Sequence, residues 1–307
     1  MNKFKYAVIG TGALGGFYGG MLAHAGADVH FLFHSDYDFV CENGLQVDSV
    51  QGDFHLSKIN AYNSTKQMPK CDVVLVCLKT TSNKFLKDIL KPILHIDTCI
   101  VLIQNGIGIE VNLAKDFPEA SIAGGLAFIC SNKKGPGHIS HLDYGKLTIG
   151  SFQGENVETI HQICADFQAA HIPAEYSDNL LESRWKKLVW NIPYNGMCVV
   201  LKTTTERLME NSKTYELIRD LMMEVIGAAN ACGVSIGEGF VKAMLDSTLK
   251  MKPYAPSMKL DFDFKRPLEI DAIYSEPLAA AHRAGYEMPK VAMLEQQLHF
   301  IEDGYSK

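Results

Sequence analysis

Hydrophobic positions divide this chain into two halves of different character. Through residue 177 they come in short runs, bounded by glycine and polar turns. Residues 6–9, 28–33, 72–78, 99–103 and 121–130 each read as a strand, and the runs at 72–78, after its opening Asp72, and at 99–103 are continuously apolar, as in strands covered on both faces. Residues 46–56 alternate apolar and polar around Gly52 and Asp53, which predicts a hairpin. Gly135-Pro136-Gly137 turns the chain into antiparallel strands over 138–149 that are expected to close the sheet. A helix over 153–170 and an extended segment at 172–176 follow.

Beyond residue 177 the period changes to that of helices. Helices are expected over 180–195, 215–231, 239–251, 269–284 and 289–302, with a short segment from Ser257 to Asp263. Gly233 is the expected stop of the second, and Pro253 and Pro256 end the third. Pro193 lacks an amide hydrogen and should kink or loosen the last turn of the first. The fold class this predicts is α/β: a Rossmann-type dinucleotide-binding domain over 1–177, followed by an all-helical domain over 178–307.

The chemistry concentrates at the end of the first strand. Gly10-Thr11-Gly12-Ala13-Leu14-Gly15 follows the strand and opens a helical pattern through Tyr18, Met21 and Leu22. Strand, glycine turn and helix are the context a G-x-G-x-x-G match needs. Gly10 would permit the turn, Gly12 would let a pyrophosphate approach the backbone, and Gly15 would let helix and strand pack. The helix N-terminus would then face the anion. A glycine turn without a ligand would carry the same letters. The second strand ends Phe33-His34-Ser35, without the acid that would accept from the 2′-hydroxyl of NAD. That tilts the choice to NADPH. His34 is read either as a donor to a 2′-phosphate or as a solvated loop residue, and Asp36 weighs against a strongly positive pocket. Lys79 stands past the 72–78 run, and Asn105-Gly106-Ile107-Gly108 past the 99–103 run, at strand ends where such sheets hold ligands; for Asn105 a plain turn fits equally well.

In the helical half, Lys187, Asn191 and Asn195 are spaced i, i+4, i+8 and fall on one helix face. Asparagines are poor helix formers to find among so many apolar residues. A surface lysine is the ordinary reading of Lys187 taken alone.

Composition narrows the picture. The 307 residues suffice for two domains, and 47% hydrophobic content supports a sizeable core. A net charge of −6 without a basic block gives no footing for nucleic acid. The eight cysteines include no C-x-x-C and no zinc spacing with histidine, so no metal is expected and a reducing, cytoplasmic setting is. The first apolar residues run into the glycine loop rather than forming a signal sequence, and no run is long enough to span a membrane. The expected partner is a small molecule; self-association as a homodimer is compatible with the sequence and not determined by it.

These motifs, in this order, resemble the ketopantoate reductase (2-dehydropantoate 2-reductase) family over essentially the whole chain. The likeness rests on Gly10 to Gly15, Cys77-Leu78-Lys79, Gln104 to Gly108, Trp185 to Asn191, Ser257-Met258 and Leu268-Glu269-Ile270-Asp271. It implies NADPH-dependent reduction of ketopantoate to pantoate for coenzyme A synthesis, in a cleft between the two domains. It further implies Lys187 as proton donor and Asn191, Asn195 and Ser257 as substrate contacts. Asn105 would touch nicotinamide and substrate, Lys79 the cofactor phosphate or ribose, Glu269 both the cofactor and the lysine, and Cys130 the cofactor through its backbone. Three positions depart from the family pattern: His34 where arginine is usual, Thr205 near an expected asparagine, and Tyr254 before the serine motif. The last two bear on which 2-oxo acid is taken. A related reductase of other specificity, and a catalytically silent NADPH-binding protein, are the alternative readings; the presence of both Lys187 and Glu269 speaks against the second.

Overall fold

The computed structural model describes residues 4–251 and 255–306, so Pro253 and Tyr254 lie outside the described residues. The described residues form two compact units: those up to Gln104 together with Ile109–Leu180, and Asn105–Gly108 together with those from Leu181 on.

The first unit is built on one sheet. Its strands are β1 (Lys5–Ile9), β2 (Asp28–Leu32), β3 (Leu45–Ser49), β4 (Phe54–Leu56), β5 (Asn60–Tyr62), β6 (Val73–Val76), β7 (Cys99–Ile103), β8 (Ser121–Gly135), β9 (His138–Gln153) and β10 (Ala174–Ser177). Their order is β4-β3-β9-β8-β7-β6-β1-β2-β5, with β10 paired to β9. Neighbours from β8 through β7, β6, β1 and β2 to β5 are parallel. The chain steps one way from β1 to β2 and the other way through β6, β7 and β8. The order therefore reverses between β1 and β6, the place where doubly wound sheets open a ligand crevice.

The all-apolar runs become β6 and β7, every residue of which is buried. Helix α1 (Ala13–His24) is buried from Gly15 to Leu22. Its glycines let it lie close to the sheet: a Cβ on Gly16 would come within 2.6 Å of Ile139, and one on Gly19 within 2.6 Å of Phe31. Helices α2 (Tyr37–Asn43), α3 (Leu86–Leu90), α4 (Ile109–Asp116) and α5 (Val157–Ala169) complete the unit.

The 46–56 hairpin forms as β3 and β4, with Leu45 opposite Leu56. Two expectations need correction. Residues 138–149 do not form several strands closing the sheet. They belong to one 16-residue strand, β9, that pairs antiparallel with β8 and parallel with β3, well inside the sheet. Its length also delays α5, which begins at Val157 rather than 153, because Gln153 is still in the β8–β9 ladder.

In the second unit α6 (Leu180–Val200) continues past Pro193 as one helix, and residues 191–199 are all buried. Around it lie α7 (Thr205–Glu210), α8 (Ser212–Ala231), α9 (Gly239–Lys250), α10 (Ser257–Asp263), α11 (Glu276–Arg283) and α12 (Pro289–Asp303). The core joins Trp185, Leu188 and Ile192 of α6 to Met222 and Val225 of α8 and Leu294 of α12. The helix expected over 269–284 begins with a π-turn, Asp271–Ser275, before α11. Such turns are rare and often stand at functional sites. No helix of the described residues is long and apolar enough to cross a membrane.

Candidate active site

In the sheet unit, the loop after β1 is fastened to its neighbours by specific contacts. Gly10 has φ +95°, a conformation that disfavours any side chain, and a Cβ there would meet the Leu78 nitrogen at 2.7 Å. The segment carrying Lys79 past β6 thus lies against the start of the loop; Lys79 is half-buried just before the 3₁₀ turn Thr80–Phe85. The Thr11 hydroxyl donates to the Leu32 carbonyl at 2.8 Å, tying the loop to the end of β2. Gly15 packs so closely that a Cβ would approach the Gly10 carbonyl at 2.3 Å. Gly12 differs from both: a Cβ built on it meets nothing within 4 Å. The loop therefore leaves space in front of Gly12 and the first turn of α1, where N–H groups have no intrahelical acceptor. A pyrophosphate fits that arrangement.

His34 and Ser35 are exposed past β2. Asp36, whose charge weighed against a positive pocket, is buried instead. Its carboxylate is paired with Lys133 at 2.6 Å and accepts from the Gly137 N–H at 3.0 Å. Burial alone would raise its pKa; the bonds from Lys133, Gly137 and Ser35 outweigh that and lower it. Cys130 is buried on β8, and burial, with Asp143 adding, pushes its thiol up to about 12. A thiol held protonated is no nucleophile at neutral pH, which leaves the backbone for any role there.

In the helical unit, Lys187 is half-buried on α6, and Asn191 and Asn195 are buried one and two turns on. The Lys187 ammonium is lowered to about 7, first by desolvation and then by the Arg184 charge one turn earlier. Glu269, itself buried, opposes both and favours the charged form. The Asn195 Oδ1 accepts from the Met258 N–H at 3.3 Å, which places Ser257 beside the asparagine stripe. Behind Glu269, the π-turn is anchored by Tyr274, whose hydroxyl donates to the Ile192 carbonyl at 2.9 Å. The Asn105–Gly108 loop docks on that turn: the Ile107 N–H donates to the Ala272 carbonyl at 3.1 Å. Gly106, at φ +93°, leaves no room for a Cβ, which would sit 2.2 Å from the same carbonyl. Lys187 with Glu269, Asn195 with the Ser257 segment, and the Asn105 loop with the residues after Glu269 are thus gathered by one unit. Thr205 is buried as the first residue of α7.

Two family models, described as ketopantoate reductase and ketopantoate reductase C-terminal, match residues 6–154 and 179–302. The chain belongs to the ketopantoate reductase family. A 2-dehydropantoate 2-reductase of Nostoc sp. is 49% identical to it, over 98% of this chain and 96% of that one. The crystal structure of 2-dehydropantoate 2-reductase from Geobacter metallireducens superposes with a TM-score of 0.93 at 40% identity, covering 96% of this chain and 99% of that one. The fold extends further, to a D-mandelate dehydrogenase solved with NADH and anilino(oxo)acetate: TM-score 0.91, 21% identity, coverage 98% and 99%.

Against this family background, three residues of these sites were given no role from sequence. Gln104, buried at the end of β7, donates to the Leu78 carbonyl at 2.8 Å and to the Asn83 side chain at 2.7 Å, bracing the strand end that carries Lys79. Its place just before Asn105 was the available signal. Arg184 could have been found from the i, i+3 spacing to Lys187. Lys133 lies 97 residues from Asp36, and nothing local announces the pair.

Proposed function

We propose that this chain reduces 2-dehydropantoate to pantoate with NADPH, as a soluble cytoplasmic enzyme supplying pantoate for coenzyme A synthesis. The observation that carries the reading is a lysine of lowered pKa held beside Glu269 on a helix that buries two asparagines on the same stripe. NADPH when bound supplies the hydride. Gly10 to Gly15 would hold its pyrophosphate, since the open space in front of Gly12 admits a close approach to backbone. Lys79 and Asn105, at the ends of β6 and β7, would contact the phosphate or ribose and the nicotinamide.

As negative charge grows on the ketone oxygen, the Lys187 ammonium would donate a hydrogen bond and then its proton. A pKa near 7 serves this role: the group is charged in a useful fraction of molecules and releases its proton readily. Glu269 keeps enough of the charged form present, and would meet the cofactor as well. Asn191, Asn195 and Ser257 would take the carboxylate and hydroxyl of the substrate, since amides both donate and accept. The family membership and the 49% identical reductase support the same substrate.

Steady-state turnover with 2-dehydropantoate and a panel of other 2-oxo acids, each with NADPH and with NADH, tests the proposal. The expected result is the highest kcat/KM for 2-dehydropantoate with NADPH. A higher value for another 2-oxo acid, or for NADH, overturns the corresponding half.

A further inference from the structure

The far end of β8 reaches two points along the dinucleotide loop's flank. The Ser131 hydroxyl donates to the Ala13 carbonyl in the first turn of α1, at 3.2 Å. Two residues on, and so on the same face of the strand, the Lys133 ammonium lies 2.7 Å from one oxygen of Asp36 and 2.6 Å from the other. The same carboxylate accepts from the Ser35 hydroxyl and the Gly137 N–H, both at 3.0 Å. Its side chain is 6% exposed, against 32% for Lys133. Asp36 is two residues past His34, at the strand end where such folds meet the adenosine ribose. A carboxylate free at that end would accept from ribose hydroxyls and repel a 2′-phosphate. Here the acid is turned inward and neutralised, while His34 and Ser35 remain exposed.

We propose that Lys133 is a positioning residue for cofactor choice: by pairing with Asp36 it withdraws the acid nearest the end of β2, which would otherwise disfavour a 2′-phosphorylated dinucleotide. The proposal rests on the NADPH reading above and supplies a reason for it in a chain without a permanent cation at position 34. Removing the Lys133 ammonium leaves Asp36 charged with only neutral donors, free to turn toward solvent and the ribose end.

The test is the ratio of kcat/KM for NADPH to that for NADH, measured on wild type, Lys133→Met, Lys133→Arg, Asp36→Asn and the double variant Lys133→Met/Asp36→Asn. Lys133→Met should lower the ratio by roughly tenfold, the size expected for one like charge a few ångströms away in water. Lys133→Arg should keep it. Asp36→Asn should not lower it, and the double variant should recover the wild-type ratio, because the carboxylate that Lys133 holds back is gone. A general loss of packing would lower both cofactors together and would not be repaired by Asp36→Asn. A wild-type preference for NADPH that survives Lys133→Met, or a double variant that stays as low as Lys133→Met, overturns this proposal alone. A wild-type preference for NADH overturns the underlying reading and the proposal with it.

Discussion

If Lys187 is the proton donor, the reaction should switch with pH in opposite senses in its two directions. Its ammonium is lowered to about 7 from an ordinary 10.5, chiefly because burial penalises the charge and Arg184 repels it, with Glu269 restoring part. Reduction needs the protonated form. Its kcat/KM should therefore be flat below about pH 7 and fall about tenfold per unit above it, to about one-hundredth of the plateau at pH 9. Oxidation of pantoate needs the neutral amine and should rise through the same midpoint. Lys187→Met removes the acid while keeping most of the side chain's packing. It should cost on the order of 10² to 10⁴ in kcat and abolish the pH step, with NADPH affinity nearly unchanged. The linkage also has a definite sign. Between about pH 7 and 10.5 the unfolded lysine holds a proton that the folded one has lost. The stability of wild type relative to Lys187→Met should thus rise with pH across that window. Initial rates in both directions from pH 5.5 to 9.5, fluorescence titration with NADPH, and urea melts at three pH values would measure all of this. A reduction profile flat from pH 6 to 9, or a Lys187→Met variant with wild-type kcat, refutes the assignment of the donor.

Three further outcomes are expected. Gly12→Ala places a methyl where no protein atom lies within 4 Å, so its Tm should match wild type while NADPH affinity falls; unchanged affinity by fluorescence titration would mean the loop holds no dinucleotide. Gly106→Ala meets the Ala272 carbonyl from a backbone at φ +93°, and should lose roughly 1–3 kcal/mol of stability in urea melts; a loss below measurement error would show that the loop is not docked on the π-turn. Asn195→Ala leaves the Met258 N–H without its acceptor. It should raise KM for the 2-oxo acid and cost about 1 kcal/mol of stability, and a variant changed in neither respect would remove Asn195 from the site.

What the sequence determined by itself is what depends on near neighbours. The short apolar runs at 73–78 and 99–103, without polar alternation, read as strands covered on both faces, and they contain β6 and β7. The glycines at 10, 12 and 15 had separate uses legible from spacing: a positive φ, an open approach and a close helix contact. The stripe of Lys187, Asn191 and Asn195 followed from the helical period alone. Tertiary structure decided whatever depended on partners far along the chain. Alternation in residues 138–149 signals a strand but says nothing of which strands flank it, and β9 took β8 on one side and β3 on the other. Pro193 reads locally as a kink or a loosened last turn, yet α6 continues past it to Val200, because the packing of a buried helix outweighs one missing hydrogen bond. Asp36 looked like an obstacle to a phosphate until Lys133, remote in sequence, was brought to it. The pKa of Lys187 likewise depends on burial and, beyond the local Arg184 charge, on Glu269, remote in sequence. Dihedral preferences and side-chain periodicity act over a few residues; desolvation and charge pairing act through space, and only the folded chain sets those distances.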